Sequence, residues 1–177
     1  MKRLAVLIAL LLWTVTWSHS LPPSSLAITG FSPGAETQAD EKTNKEILAM
    51  FKKAEGAMQA RNLDGLMALY SKDYAYHGLT KAELRKLWGD LFAQYHRVAS
   101  THHFSQIAVK PGQSPTAEVT CTGVLWATDE TGHRVNLDSW FEEMHYLVYE
   151  DGAWRIRGHA GERPKGIWFG VAPHPLF

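Results

Sequence analysis

The sequence predicts an α+β domain: three N-terminal helices packed against a strongly curved, mainly antiparallel sheet of four to six strands, enclosing a cone-shaped space. Three observations predict it. Apolar residues recur at helical spacing in three successive stretches ahead of the first long strand. Beyond them, runs rich in β-branched and aromatic residues are divided by turn signals at Pro111-Gly112, Asp129 to Gly132 and Asp151-Gly152. Helical and strand segments are segregated along the chain rather than alternating, which favours antiparallel pairing over βαβ units.

The N-terminus, MKRLAVLIALLLWTVTWSHS, has a short positive region at Lys2-Arg3, an unbroken apolar run from Leu4 to Leu12 and small residues around Ser20. This pattern predicts a signal peptide over residues 1–20 and a secreted or periplasmic product, with no membrane anchor after cleavage. The apolar run is well short of the roughly 20 residues that span a bilayer. Residues 21–40 are rich in Pro, Ser, Gly and Ala without a period, and are expected to be a flexible leader. The folded domain is expected over residues 41–160.

Within it, Ile47, Met50, Phe51, Ala54 and Met58 form one helical stripe, with Glu46, Lys52, Lys53 and Glu55 expected outside it. Asn62 or Asp64 caps a second, shorter helix carrying Leu66, Met67 and Tyr70 inward. SKDYAYHG breaks the pattern. Thr80 and Glu83 then make a T-x-x-E capping box for a third helix with Leu84, Leu87, Trp88, Leu91 and Tyr95 on its apolar side. Four strands follow: THHFSQIAVK, PTAEVTCTGVLWAT, the long run from Arg134, and Ala153 to Ala160. A two-residue turn at Asp151-Gly152 sets Tyr149 opposite Trp154, Leu147 opposite Ile156 and His145 opposite Gly158. The apolar tail, residues 161–177, is expected to pack on the domain.

Composition excludes some classes. The chain of 177 residues has 18 basic and 18 acidic side chains and no basic run, so no nucleic-acid footprint is present. Its single cysteine, Cys121, excludes an intramolecular disulfide and reads as a small buried hydrophobe.

Strand alternation places Glu143 and His145 on the face that holds Trp154 and Ile156, with Gly158 leaving room opposite them. A core face that turns polar there is a candidate pocket floor, and Glu143 with His145 is the candidate acid–base pair. Tyr76 and His77, between the second and third helices, offer a hydroxyl and an imidazole to a ligand. Trp88 is a candidate wall and His103 a further polar contact. Asp138 and Trp140 fall on the opposite parity unless a bulge near Glu142-Glu143 reverses it. Neither a metal nor a cofactor is expected, because no spacing drives His103, Glu143 and His145 to converge.

The stretches ARNLDGLMALYSKDYAYHG, TKAELRKLW and LVYEDGAWRIRGHA together resemble the nuclear transport factor 2-like superfamily, which includes SnoaL-like cyclases and ketosteroid isomerases. The resemblance implies a pocket between helices and sheet, lined by the long helices, the segment after the second helix and the inner strand faces. Its members include enzymes, binding proteins and dimeric scaffolds. The chain shows no clear match to the isomerases' base and paired oxyanion donors, nor to the cyclases' acidic constellation. Binding of a small, partly apolar molecule is therefore the leading expectation, with a homodimer as the second partner to consider. A His/Glu isomerase, cyclase or hydrolase and a structural module are the alternatives.

Overall fold

Asp40 opens the first helix by accepting the backbone N–H of Thr43 at 2.7 Å, and α1 then runs over Glu41–Gln59. The computed structural model describes residues 29–76 and 78–160. The predicted signal peptide and the apolar tail lie outside the described residues, as does His77. Among the described residues no helix is long and apolar enough to cross a membrane.

Asn62 caps the short α2, Leu63–Met67, and Thr80 with Glu83 completes the capping box of α3, Lys81–Gln94. Among the described residues one strand precedes the helices, β1 (Thr29–Thr37). Between α2 and α3 a small hairpin forms from β2 (Ala75–Tyr76) and β3 (Leu79–Thr80). The long strands are β4 (Arg97–Lys110), β5 (Thr116–Thr128), β6 (Arg134–Glu150) and β7 (Ala153–His159). They and β1 make a five-stranded sheet in the order β1-β4-β5-β6-β7.

Two expectations are corrected here. The sheet is mixed and open rather than a strongly curved cone: β1 adds in parallel to β4, and no sheet is strongly curled. Side chains occupy the space between helices and sheet, with Phe51, Tyr70, Trp88 and Phe104 among the largest fully buried ones. Residues 29–37, expected to belong to the leader, are strand β1. Their edge position explains why no alternation marks them, since one side of the ladder is left to solvent or other partners.

The Asp151-Gly152 turn forms as expected, with both residues at positive φ (51° and 75°) and Glu150 opposite Ala153. Tyr149 pairs with Trp154 and Leu147 with Ile156, but the register then shifts. Arg157 is an extra residue in β7, so His145 stands opposite His159 and not Gly158. Nor is the space at Gly158 open. A Cβ there would sit 2.7 Å from the carbonyl oxygen of Ala75, so the missing side chain admits another backbone rather than a ligand. The segment after α2 docks along β7 in this way, with Ser71 N–H donating to Ile156 O at 2.8 Å and Ile156 N–H to Leu69 O at 2.9 Å. That docking delivers Tyr70, Tyr74 and Tyr76 to the interior, all of them buried.

A carboxyl row and a buried Cys-His-His relay

Two further bulges decide which side chains of β6 face inward. Cys121 pairs with Glu143 and Gly123 with Trp140, so Phe141 and Glu142 together oppose Thr122 alone. Leu125 pairs with Asp138 and Trp126 with Asn136, which leaves Leu137 as a second extra residue. The inner row of β6 therefore reads Asp138, Trp140, Glu143, His145, mixing both sequence parities. Gly123 makes room for the indole: a Cβ there would lie 2.3 Å from Trp140 and 2.1 Å from the carbonyl of Thr101.

Behind this row lies a chain of buried polar groups. Trp140 Nε1–H donates to Cys121 Sγ at 3.2 Å, Sγ lies 3.0 Å from His145 Nε2, and His145 Nδ1 lies 2.7 Å from His159 Nδ1. Burial pushes the Cys121 thiol up to about 12, against the Trp140 hydrogen bond, and holds His145 down at about 3, helped by His102. Both groups are thus neutral at ordinary pH. Because Sγ already accepts from Trp140, its own proton points to His145 Nε2, and His145 Nδ1–H then donates to His159. The relay is a neutral proton chain, and Cys121 within it is a capped thiol rather than a thiolate nucleophile.

His159 continues the chain toward Tyr76, whose ring stands edge-on at 5.0 Å, and Tyr74, at 6.2 Å. On the other side, His102 packs against Trp140 at 5.1 Å and Phe51 at 5.1 Å, with its Nδ1 3.7 Å from Glu55 Oε1. Burial raises Glu55 to about 7 and lowers His102 to about 3, so His102 enters this contact as a neutral imidazole. Glu55, expected outside the helical stripe, is buried against β4.

The carboxyls of Asp138 and Glu143 are only half-buried, so water reaches them while His145 and Cys121 are sealed. Burial, and then the charge of Asp138, pushes Glu143 up to about 8. Burial takes Asp138 to about 6, opposed by the Ser139 backbone N–H that donates to it at 2.8 Å. Tyr76 is raised to about 12 by burial and by the charges of Glu143 and Asp138. At neutral pH the row therefore presents one ionised and one protonated carboxyl beside a phenol.

Of the residues singled out from sequence, Glu143, His145 and Tyr76 are brought together. Trp88 is buried in the core with Phe92 and Tyr70, whose hydroxyl it hydrogen-bonds. His103 lies exposed on the outer face, so it does not converge with His145, and among the described residues no His, Cys, Asp and Glu group is arranged to hold a metal. Sequence reasoning brought Asp138 beside Glu143 only on condition of a bulge near Glu142-Glu143, which the structure has, and it did not bring in His159, His102 or Glu55. The available signal was the possible bulge at Glu142, which sets the parity of everything before it. A separate groove of about 690 Å³ runs between α1, α2 and the β6–β7 turn. Half of its lining residues are Ala or Gly, with Glu46, Lys53, Arg155, Tyr149 and Trp154 among the others, and it contains none of the acid–base groups described above.

No protein-family profile matches the chain, and no curated protein matches it. Solved structures do. Aln2 from a Streptomyces species is 15% identical, with 71% of this chain and 93% of that one covered at a TM-score of 0.55. A protein from Xanthomonas campestris described as a calcium/calmodulin dependent protein kinase II association domain is 14% identical, with 78% and 99% covered at 0.53. A protein of unknown function from Mycobacterium tuberculosis is 18% identical, with 67% and 69% covered at 0.51. At such identities the likeness shows the fold alone and no particular family.

Proposed function

We propose that the protein binds a small, partly apolar molecule at the Asp138–Glu143 end of the inner sheet face. The observation that carries the reading is the carboxyl pair itself. Two half-buried acids share one row beside Tyr76, and their environments part them to about 6 and about 8. An ionised Asp138 accepts a hydrogen bond and a protonated Glu143 donates one, with the buried rings of Tyr74, Tyr76 and Trp140 in the interior beside them. This fits a neutral molecule with a hydroxyl or carbonyl on a ring or chain.

The same split favours a second reading, proton transfer within the bound molecule, with Asp138 as base and Glu143 as acid. His145 then serves to orient the row from behind, since it is sealed from solvent and neutral. Mass spectrometry of small molecules retained by protein purified from its native source tests binding. Wild type should carry a species that Asp138→Asn and Glu143→Gln each lose, and identical contents in all three would refute the reading. With the species identified, chemical conversion by wild type and none by Asp138→Asn would select the enzyme. A homodimer through the outer sheet face, where Phe141 and Tyr146 stand exposed, belongs to the proposal as well. Sedimentation checks it, and a monomer at high concentration removes it.

A further inference from the structure

Glu142 is a residue with a side chain held at a positive φ of 50°, in the middle of the longest strand. That region disfavours residues carrying a Cβ, so the surroundings must hold it there. They do so from two neighbouring strands. Ser105 Oγ–H donates to one carboxylate oxygen at 2.7 Å, and Thr122 Oγ1–H to the other at 3.2 Å. The Glu142 backbone N–H, displaced from the ladder, donates to the same Thr122 oxygen at 3.1 Å. Ser105 is itself the extra residue of a bulge in β4, between Phe104 and Gln106. Two bulges, one on each side of β5, are thus stitched together at the level of Cys121.

The consequence lies on the other face of the sheet. Without the extra residue, strict alternation would turn Asp138 and Trp140 outward whenever Glu143 and His145 face inward. With it, all four side chains face the interior, and the surplus side chain, Phe141, is left 83% exposed. We propose that Glu142 is a positioning residue: its carboxylate, held by Ser105 and Thr122, locks the bulge that assembles the Asp138–Trp140–Glu143–His145 row. The inference rests on reading that row as the site, but its test needs no ligand.

In the full chain, two readouts report the row directly. One is hydrogen exchange of the Trp140 indole proton, which is bonded to Cys121. The other is the carbon-detected titration of the Glu143 carboxyl. Glu142→Gln, which keeps an acceptor and the side-chain length, should resemble wild type in both. In Glu142→Ala the indole proton should exchange about tenfold faster or more, and Glu143 should titrate about one pH unit lower as its cover and Asp138 move away. The double variant Ser105→Ala/Thr122→Ala keeps Glu142 in place and should do the same, which guards against a Glu142→Ala chain that fails to fold. Wild-type exchange and titration in Glu142→Ala and in the double variant would overturn the proposal. Asp138→Asn separates it from the site reading. If that change leaves the Glu143 titration unmoved while Glu142→Ala still frees Trp140, the bulge lock stands and the carboxyl-pair reading fails.

Discussion

Replacing Glu143 with Gln should stabilise the protein at alkaline pH, and by an amount that depends on pH in a defined direction. In the folded chain Glu143 keeps its proton up to about 8, against a usual value of 4.5. Between those values the folded state holds a proton that the unfolded state has released, so stability falls as pH rises through the window. Glu55 and Asp138, raised to about 7 and about 6, act in the same sense. His102 and His145, lowered from 6.5 to about 3, act in the opposite sense, and only below about 6.5, where the unfolded chain gains protons that the folded chain refuses. Above that point only the carboxyls act among these groups, and their contribution should decline toward pH 8. Each pKa unit is worth about 1.4 kcal/mol, but water around a half-buried carboxyl screens much of the total, leaving about 1 to 2 kcal/mol. Urea unfolding at about pH 5, 6.5 and 8.5 measures it. The variant should exceed wild type by that margin at the highest pH, with the gap closing toward acid. No gap at alkaline pH would mean that the Glu143 carboxyl is fully solvated, and one that widens toward acid would mean that folding lowers its pKa instead of raising it.

Three other outcomes are expected. Trp154, buried against Tyr149 at a ring distance of 5.4 Å, should cost about 3 to 5 kcal/mol when cut to Ala, and a loss below about 1 kcal/mol in urea unfolding would place it outside the core. Cys121, sealed and raised to about 12, should resist iodoacetamide in the native state and react only on unfolding; rapid native alkylation seen by mass spectrometry would contradict the capped thiol. N-terminal sequencing of the native mature protein should begin near Leu21, and an intact Met1 on that protein would remove the proposed signal peptide.

The sequence by itself determined what depends on neighbours in the chain. Asn62 and the Thr80–Glu83 box cap helices because an oxygen two or three residues away is all a helix start needs. Asp151-Gly152 turns because its backbone tolerates positive φ, and the adjacent pairs, Tyr149 with Trp154 and Leu147 with Ile156, follow from it. The placement of Glu143 and His145 on the inner face was legible for the same reason, being counted from that turn. Only the tertiary structure decided the rest. The parallel edge strand β1 depends on β4, which follows α1, α2 and α3 in the chain, and no local pattern marks it. Each bulge is a single residue whose extra place is settled by partners on other strands, such as Ser105 and Thr122 for Glu142. Since side chains alternate with a period of two, one such residue reverses every position beyond it. Asp138, Trp140 and His159 reached the interior in that way, and Glu55 was buried because His102, on a distant strand, lay beneath it.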